Sequence, residues 1–216
     1  MTKTELAKKI VDILEQKYPD AKTELNWDKK YPYQLVIAVM LSAQATDVGV
    51  NKATKDLFKK YKTPNDFATS SYEDLVKYTK SINYYKTKTE RILKNATEIQ
   101  EKFAGKIPKS VKELITLSGI GRKSANVILQ EVYGIGEGVV VDTHMTRVTY
   151  RLGLQPYNNQ KDAEKIEEKL KKVVPKDKFT EFSRTIVLHG RYTCKAKNPM
   201  CEDCVLNKLC PSAFNF

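Results

Sequence analysis

All four cysteines of the chain, Cys194, Cys201, Cys204 and Cys210, fall in its last stretch, spaced C-x6-C-x2-C-x5-C. A segment this short with four soft thiolates folds around one centre more readily than it scatters them through a core. Thiolate sulfur selects zinc, copper(I) or an iron–sulfur cluster, and four cysteines complete the shell of either a structural zinc or a 4Fe–4S cube. Zinc sites more typically pair two short C-x2-C-like knuckles across a long spacer. Here a single short pair stands between loops of six and five residues, which favours the larger cube over zinc and places disulfides third.

The rest of the chain supports the metal-binding reading. Its N-terminus, MTKTELAKKI, is polar and opens an amphipathic helix, unlike a signal peptide. The longest apolar run, Leu35 to Leu41, is too short to span a bilayer. The expectation is a reducing, cytoplasmic setting without a membrane, where clustered cysteines bind metal.

A chain of 216 residues with a formal net charge of +12 has ample core for one large domain or two ordinary ones. The charge excess is the footprint of a polyanion's partner, most often nucleic acid. The blander reading is a set of solvated basic helix faces. No lysine run is long enough to form a disordered basic tail, so the charge is spread over folded elements.

Nearly every segment reads as helix. Thr2 with Glu5 forms a capping box ahead of Leu6, Ile10 and Leu14. Ser70 with Glu73 repeats the device before Leu75 and Tyr78, and Thr63-Pro64 pairs a cap with proline at the first helical position. Residues 86–103 align Ile92, Ala96, Ile99 and Phe103, and residues 160–174 align Ala163, Ile166, Leu170 and Val173 or Val174. Val139-Val140-Val141 alone resembles a strand, and it is short. The predicted fold class is all-α.

Residues 110–133, SVKELITLSGIGRKSANVILQEVY, carry the second informative pattern. Ser110 and Glu113 cap a short helix running to about Thr116, Leu117 to Gly121 form a tight turn, and a second helix starts near Arg122 with Ala125, Val127, Ile128 and Leu129 facing inward. Glycines at 119 and 121 let the backbone turn sharply and approach another surface without a Cβ in the way. The turn's amides and the following helix N-terminus make an anion site. Such a helix-hairpin-helix grips a DNA backbone phosphate without reading sequence. Leu117, Gly119, Gly121 and Arg122 are its expected DNA contacts.

LSGIGRKSANVIL, then VDTH at 141–144, then HGRYTC at 189–194 leading into the cysteine loop, resemble the endonuclease III family of helix-hairpin-helix DNA glycosylases; LSAQATD at 41–47 matches its pattern as well. The resemblance runs from about Tyr31 to Cys210 in unchanged order. It implies a two-lobed fold with DNA bound in the cleft: a central domain, 25–135, holding the hairpin, and a second, 1–24 plus 136–216, holding the cluster loop. The implied cofactor is a 4Fe–4S cluster. The implied activity is bifunctional: excision of oxidised pyrimidines from duplex DNA and cleavage of abasic sites, by a monomer associated with the nucleoid.

Carried over position by position, the family's Schiff-base lysine falls on Lys123, in the first turn after the hairpin. A lysine acts as a nucleophile through its neutral amine. The catalytic aspartate maps onto Asp142, whose carboxylate would stabilise a cationic sugar; capping the helix at Thr143 is the bland role, compatible with the first. His144 reads as structural. Gln44 occupies the position of a glutamine that fills the gap left by an extruded nucleotide. Its partner loop reads Ile82 to Thr89, with Tyr84 at the family's wedge leucine and Asn83 in place of a glycine, departures that bear on opposite-base preference. Asp47 matches a carboxylate in or near the pocket. Ser118 stands where the hairpin commonly has proline, which is expected to loosen the turn slightly. Lys195 and Lys197, on the loop between Cys194 and Cys201, are expected to meet phosphate while the cluster serves as a staple. Two other readings are a monofunctional glycosylase of the superfamily, whose adenine-specific members lack the lysine and extend beyond the length seen here, and a non-catalytic DNA-binding module stapled by zinc.

Overall fold

Local capping chemistry sets where the helices begin. In a computed structural model, which describes residues 1–215, Thr2 and Glu5 form a reciprocal capping box on α1 (Lys3–Lys17), and Thr63 and Asp66 form another on α4 (Pro64–Ala68), with Pro64 at its first position. The expected Ser70–Glu73 box is displaced by one residue. Ser71 caps α5 (Tyr72–Thr79) by accepting the Asp74 amide, because the Ser70 hydroxyl is committed to the Phe67 carbonyl at the end of α4. Among the described residues all regular secondary structure is helical. Val139, Val140 and Val141 form no strand: they are buried without regular structure, with the Val140 amide on the Ser183 hydroxyl.

The chain divides into two compact units, Thr23–Ile135 and Met1–Lys22 joined with Gly136–Phe216. In the first, α2 (Tyr33–Ser42) is buried from Tyr33 to Leu41. A helix apolar on every side belongs at the centre of a bundle, and α3 (Asp47–Lys60), α6 (Tyr85–Phe103) and α8 (Arg122–Ile128) pack around it. Fully burying each Leu, Ile or Val side chain of α2 contributes about 1.5–3 kcal/mol. The short α7 (Val111–Leu114) leads into the turn before α8. It stops before Thr116, whose hydroxyl bonds the Glu113 carbonyl. Beyond Ile128, α8 continues through one π-helical turn, Leu129–Tyr133, that ends at left-handed Gly134.

The second unit packs α1 against α11 (Phe179–Tyr192) and α10 (Ala163–Val173), and α11 against α9 (Thr143–Arg151). Ile10, Leu14, Met145, Ile166, Phe182 and Ile186 form the heart of its core. Gly190 lets α9 and α11 touch, since a Cβ there would lie 2.8 Å from that of His144. Cys194, Cys204 and Cys210 pack on the edge of this core, beside Leu206. No helix among the described residues is long and apolar enough to cross a membrane.

Candidate functional site

The hairpin between α7 and α8 is held by its tertiary neighbours. Gly119 adopts φ +80°, and a Cβ at this position would lie 2.6 Å from Met40 Cε, so both backbone and space demand glycine. Gly121 has φ −95° and caps α8; nothing lies within 4 Å of an added Cβ, so its glycine keeps the surface open. Among the described residues nothing accepts the amides of Gly119 and Gly121. The Leu117 side chain is buried and its amide bonds the Leu114 carbonyl, while Gly119, Gly121 and Arg122 are exposed.

Ser118 does not loosen the turn. Glu98 on α6 accepts its amide hydrogen at 2.6 Å, and Asn95 donates to its carbonyl at 2.9 Å. Burial opposes ionisation of Glu98, but the Ser118 amide and hydroxyl together with the charges of Lys102 and Lys94 outweigh it and hold the carboxyl below its ordinary range. A proline at 118 has no amide to offer.

Lys123 is exposed in the first turn of α8, directly after this turn. In the same unit two loop tips stand out. Gln44, after the end of α2, and Tyr84, before the start of α6, are both exposed and both left-handed, with φ of 53° and 58°. The Asn83 side-chain amide donates to the Gln44 carbonyl at 3.2 Å. Asp47 opens α3 behind the Thr46 cap. Lys88 is the one buried lysine among the described residues, and burial pulls its ammonium below the usual lysine range. That is the shift sought in a Schiff-base lysine, yet its Nζ is turned inward onto the carbonyls of Leu41 and Ala43.

In the other unit Asp142 caps α9, its Oδ1 accepting the Met145 amide at 2.8 Å. The cap fixes the half-buried carboxylate in one rotamer. Arg147, one turn on, donates to the carbonyls of Gly190 and Cys194 and meets His144 Nδ1 at 3.2 Å. His144 is thus a packing and hydrogen-bonding residue of the α9–α11 contact.

The four cysteine sulfurs, all half-buried and free of disulfides, line one cavity with Val148, Leu152, His189 and Leu206. Polar hydrogens are aimed at them: Arg151 at Cys194 Sγ, 3.4 Å away, and the Leu206 amide at Cys204 Sγ, also 3.4 Å away. Burial and the neighbouring thiols push Cys204 upward, a penalty that a bound cation relieves. Four soft donors around a cavity, with N–H groups directed at sulfur, fit a thiolate-bound metal centre. Arg151 also holds the Lys195 and Ala196 carbonyls, so the loop carrying exposed Lys195 and Lys197 is tied to α9.

Glu98, Lys88, Arg147 and Arg151 escaped the sequence reading. Lys88 left one trace, since it falls on the apolar stripe of α6 with Ile92, Asn95 and Ile99, where a solvated lysine does not belong. Glu98, Arg147 and Arg151 make contacts that no local pattern encodes.

Residues 37–176 match the HhH-GPD superfamily base excision DNA repair protein. The chain is 41% identical over 201 residues to endonuclease III of Escherichia coli (strain K12), covering 93% of this chain and 92% of that one. It is 40% identical over 212 residues to endonuclease III of Synechocystis, covering 98% and 94%. Among solved structures, a trapped endonuclease III–DNA covalent intermediate superposes with a TM-score of 0.88 at 37% identity, covering 99% of this chain and 97% of that one.

Proposed function

The chain belongs to the endonuclease III family of the HhH-GPD base excision repair superfamily, and from that premise we propose how its residues divide the work of a DNA glycosylase and abasic-site lyase. The substrate is duplex DNA in which an oxidised pyrimidine has been extruded from the stack, met on the chromosome in the cytoplasm. Gly119, Gly121 and Arg122 seat the backbone phosphate, and Gln44 and Tyr84 enter the space the nucleotide leaves.

The observation that carries the reading is the place of Lys123: an exposed amine in the first turn of α8, directly after a turn whose glycine amides meet no acceptor among the described residues. As the free base, Lys123 attacks C1′ of the extruded sugar. The glycosidic bond breaks, its electron pair leaves with the base, and the base takes up a proton. The sugar ring opens as the C1′–O4′ bond breaks with its electron pair on O4′; a proton passes from Nζ to that oxygen, leaving an imine between Nζ and C1′. Removal of a C2′ proton then forms the C2′–C3′ double bond as the C3′–O bond breaks, and the downstream strand departs with its 5′-phosphate. Water hydrolyses the imine and returns the lysine. Asp142 supplies the fixed negative charge that stabilises the cationic sugar as the base leaves.

Cys194, Cys201, Cys204 and Cys210 would hold a 4Fe–4S cluster. With four protein ligands filled, such a cluster supplies structure and no open coordination position. It would keep Lys195 and Lys197 in place for phosphate. Base release and strand nicking, measured separately on a thymine glycol duplex, test the assignment: coupled products support Lys123 as nucleophile, and base release without nicking assigns that role to water.

A further inference from the structure

Left-handed backbone at a non-glycine residue persists only where its surroundings impose it, and such residues cluster at functional tips. Gln44 and Tyr84 are both of this kind, and both are exposed. The bend at Gln44 is bonded from the segment that opens α6. The Lys88 ammonium donates to the Leu41 carbonyl at 2.8 Å and the Ala43 carbonyl at 2.6 Å. These are carbonyls at the C-terminal end of α2, left without an intrahelical partner, where a cation also complements the helix dipole. Asn83 adds a bond to the next carbonyl, that of Gln44, at 3.2 Å. Thr79 and Thr89 pin the same turn through their hydroxyls at 2.7 Å. The bend that presents Gln44 is therefore gripped at residues 41, 43 and 44 by the segment that presents Tyr84.

We propose that Lys88 is the positioning residue of the duplex-entering wedge: with Asn83 it locks the Gln44 and Tyr84 tips into one preformed element. The inference rests on the reading of those two tips as the residues that enter the duplex. A wedge built before binding has no loop to order at the moment of extrusion, so the gain falls on base extrusion and not on bond chemistry. Asn83, which stands where the family has glycine, supplies the smaller part of the lock, one bond of three. The occupant it prepares for is the orphaned opposite base, taken by stacking on the Tyr84 ring, a contact every base offers.

The test uses the cluster-loaded protein in single-turnover assays on two duplexes, one with thymine glycol and one with a preformed abasic site, where no base remains to be unstacked. Lys88→Met is expected to slow base release about tenfold while abasic nicking changes by less than about twofold. Asn83→Ala should show the same split more weakly, and Lys88→Arg, which can still donate to both carbonyls, should recover most of the loss. Equal loss on both duplexes, or no loss on either, overturns the proposal. Should Lys88→Met fail to fold, Asn83→Ala decides, because its side chain is exposed: wild-type base release in that variant overturns the lock. Gln44→Ala and Tyr84→Ala separate the two levels. Wild-type rates in both variants refute the wedge itself, whereas loss there without loss in Lys88→Met and Asn83→Ala refutes only the lock.

Discussion

The Glu98 carboxylate accepts the Ser118 amide hydrogen at 2.6 Å, tying the long α6 helix to the turn that carries Gly119 and Gly121. The bond exists because residue 118 is not proline. It converts a substitution that removes a rigid ring into a charge-assisted clamp.

Replacing Glu98 by Gln is expected to cost about 1–2 kcal/mol at neutral pH, the worth of a hydrogen bond to a charged group discounted for partial exposure. Because the folded carboxyl lies below its unfolded value, its contribution is complete above about pH 4.3 and fades as pH falls through the folded value. Denaturant titrations of wild type and Glu98→Gln should therefore converge in acid. Ser118→Pro should cost a similar amount, and the double variant little more than either single change, as expected for partners in one bond.

Gly119 and Gly121 predict opposite phenotypes. Gly119→Ala places a Cβ 2.6 Å from Met40 Cε at φ +80°; the left-handed backbone alone costs about 1–2 kcal/mol. Its thermal midpoint should fall. Gly121→Ala meets open space, so its midpoint should hold while its affinity for duplex DNA drops, measured by fluorescence anisotropy at a fixed salt concentration.

Asp142 serves as both helix cap and charge, and asparagine separates the roles. Asn is as good a cap as Asp, so Asp142→Asn should keep stability within about 0.5 kcal/mol of wild type. Loss of the carboxylate should still reduce base release by about a hundredfold or more. A comparable fall in stability and activity would reduce Asp142 to its capping role.

Anaerobically purified protein should contain equal iron and acid-labile sulfide, show visible absorbance and lack zinc. Cys204→Ser should lose the iron and lower the thermal midpoint, since Cys204 packs on the core of its unit. Stoichiometric zinc in colourless wild-type protein would refute the cluster.

The parts of the fold legible in the sequence were those governed by local chemistry. Thr2 with Glu5 and Thr63 with Pro64 announce helix starts because cap and partner lie within one turn. At Ser70 and Ser71 the local signal is degenerate, since each serine has a carboxylate three residues on. The choice between them is made by the Ser70 hydroxyl turning back to Phe67. The hairpin was legible as a pattern, while the different reasons for its two glycines depend on Met40, far away in the chain. Lys88 was hidden because its carbonyl partners lie more than forty residues upstream, and the clamp on Ser118 because Glu98 sits on another helix.

The central claim is that Lys123 forms the covalent bond to DNA. Borohydride reduction during reaction with a thymine glycol duplex tests it most directly, by converting a transient imine into a stable protein–DNA adduct. Wild type is expected to give that adduct and Lys123→Gln to give none. An adduct that persists in Lys123→Gln, or base release by wild type with no adduct at all, would contradict it.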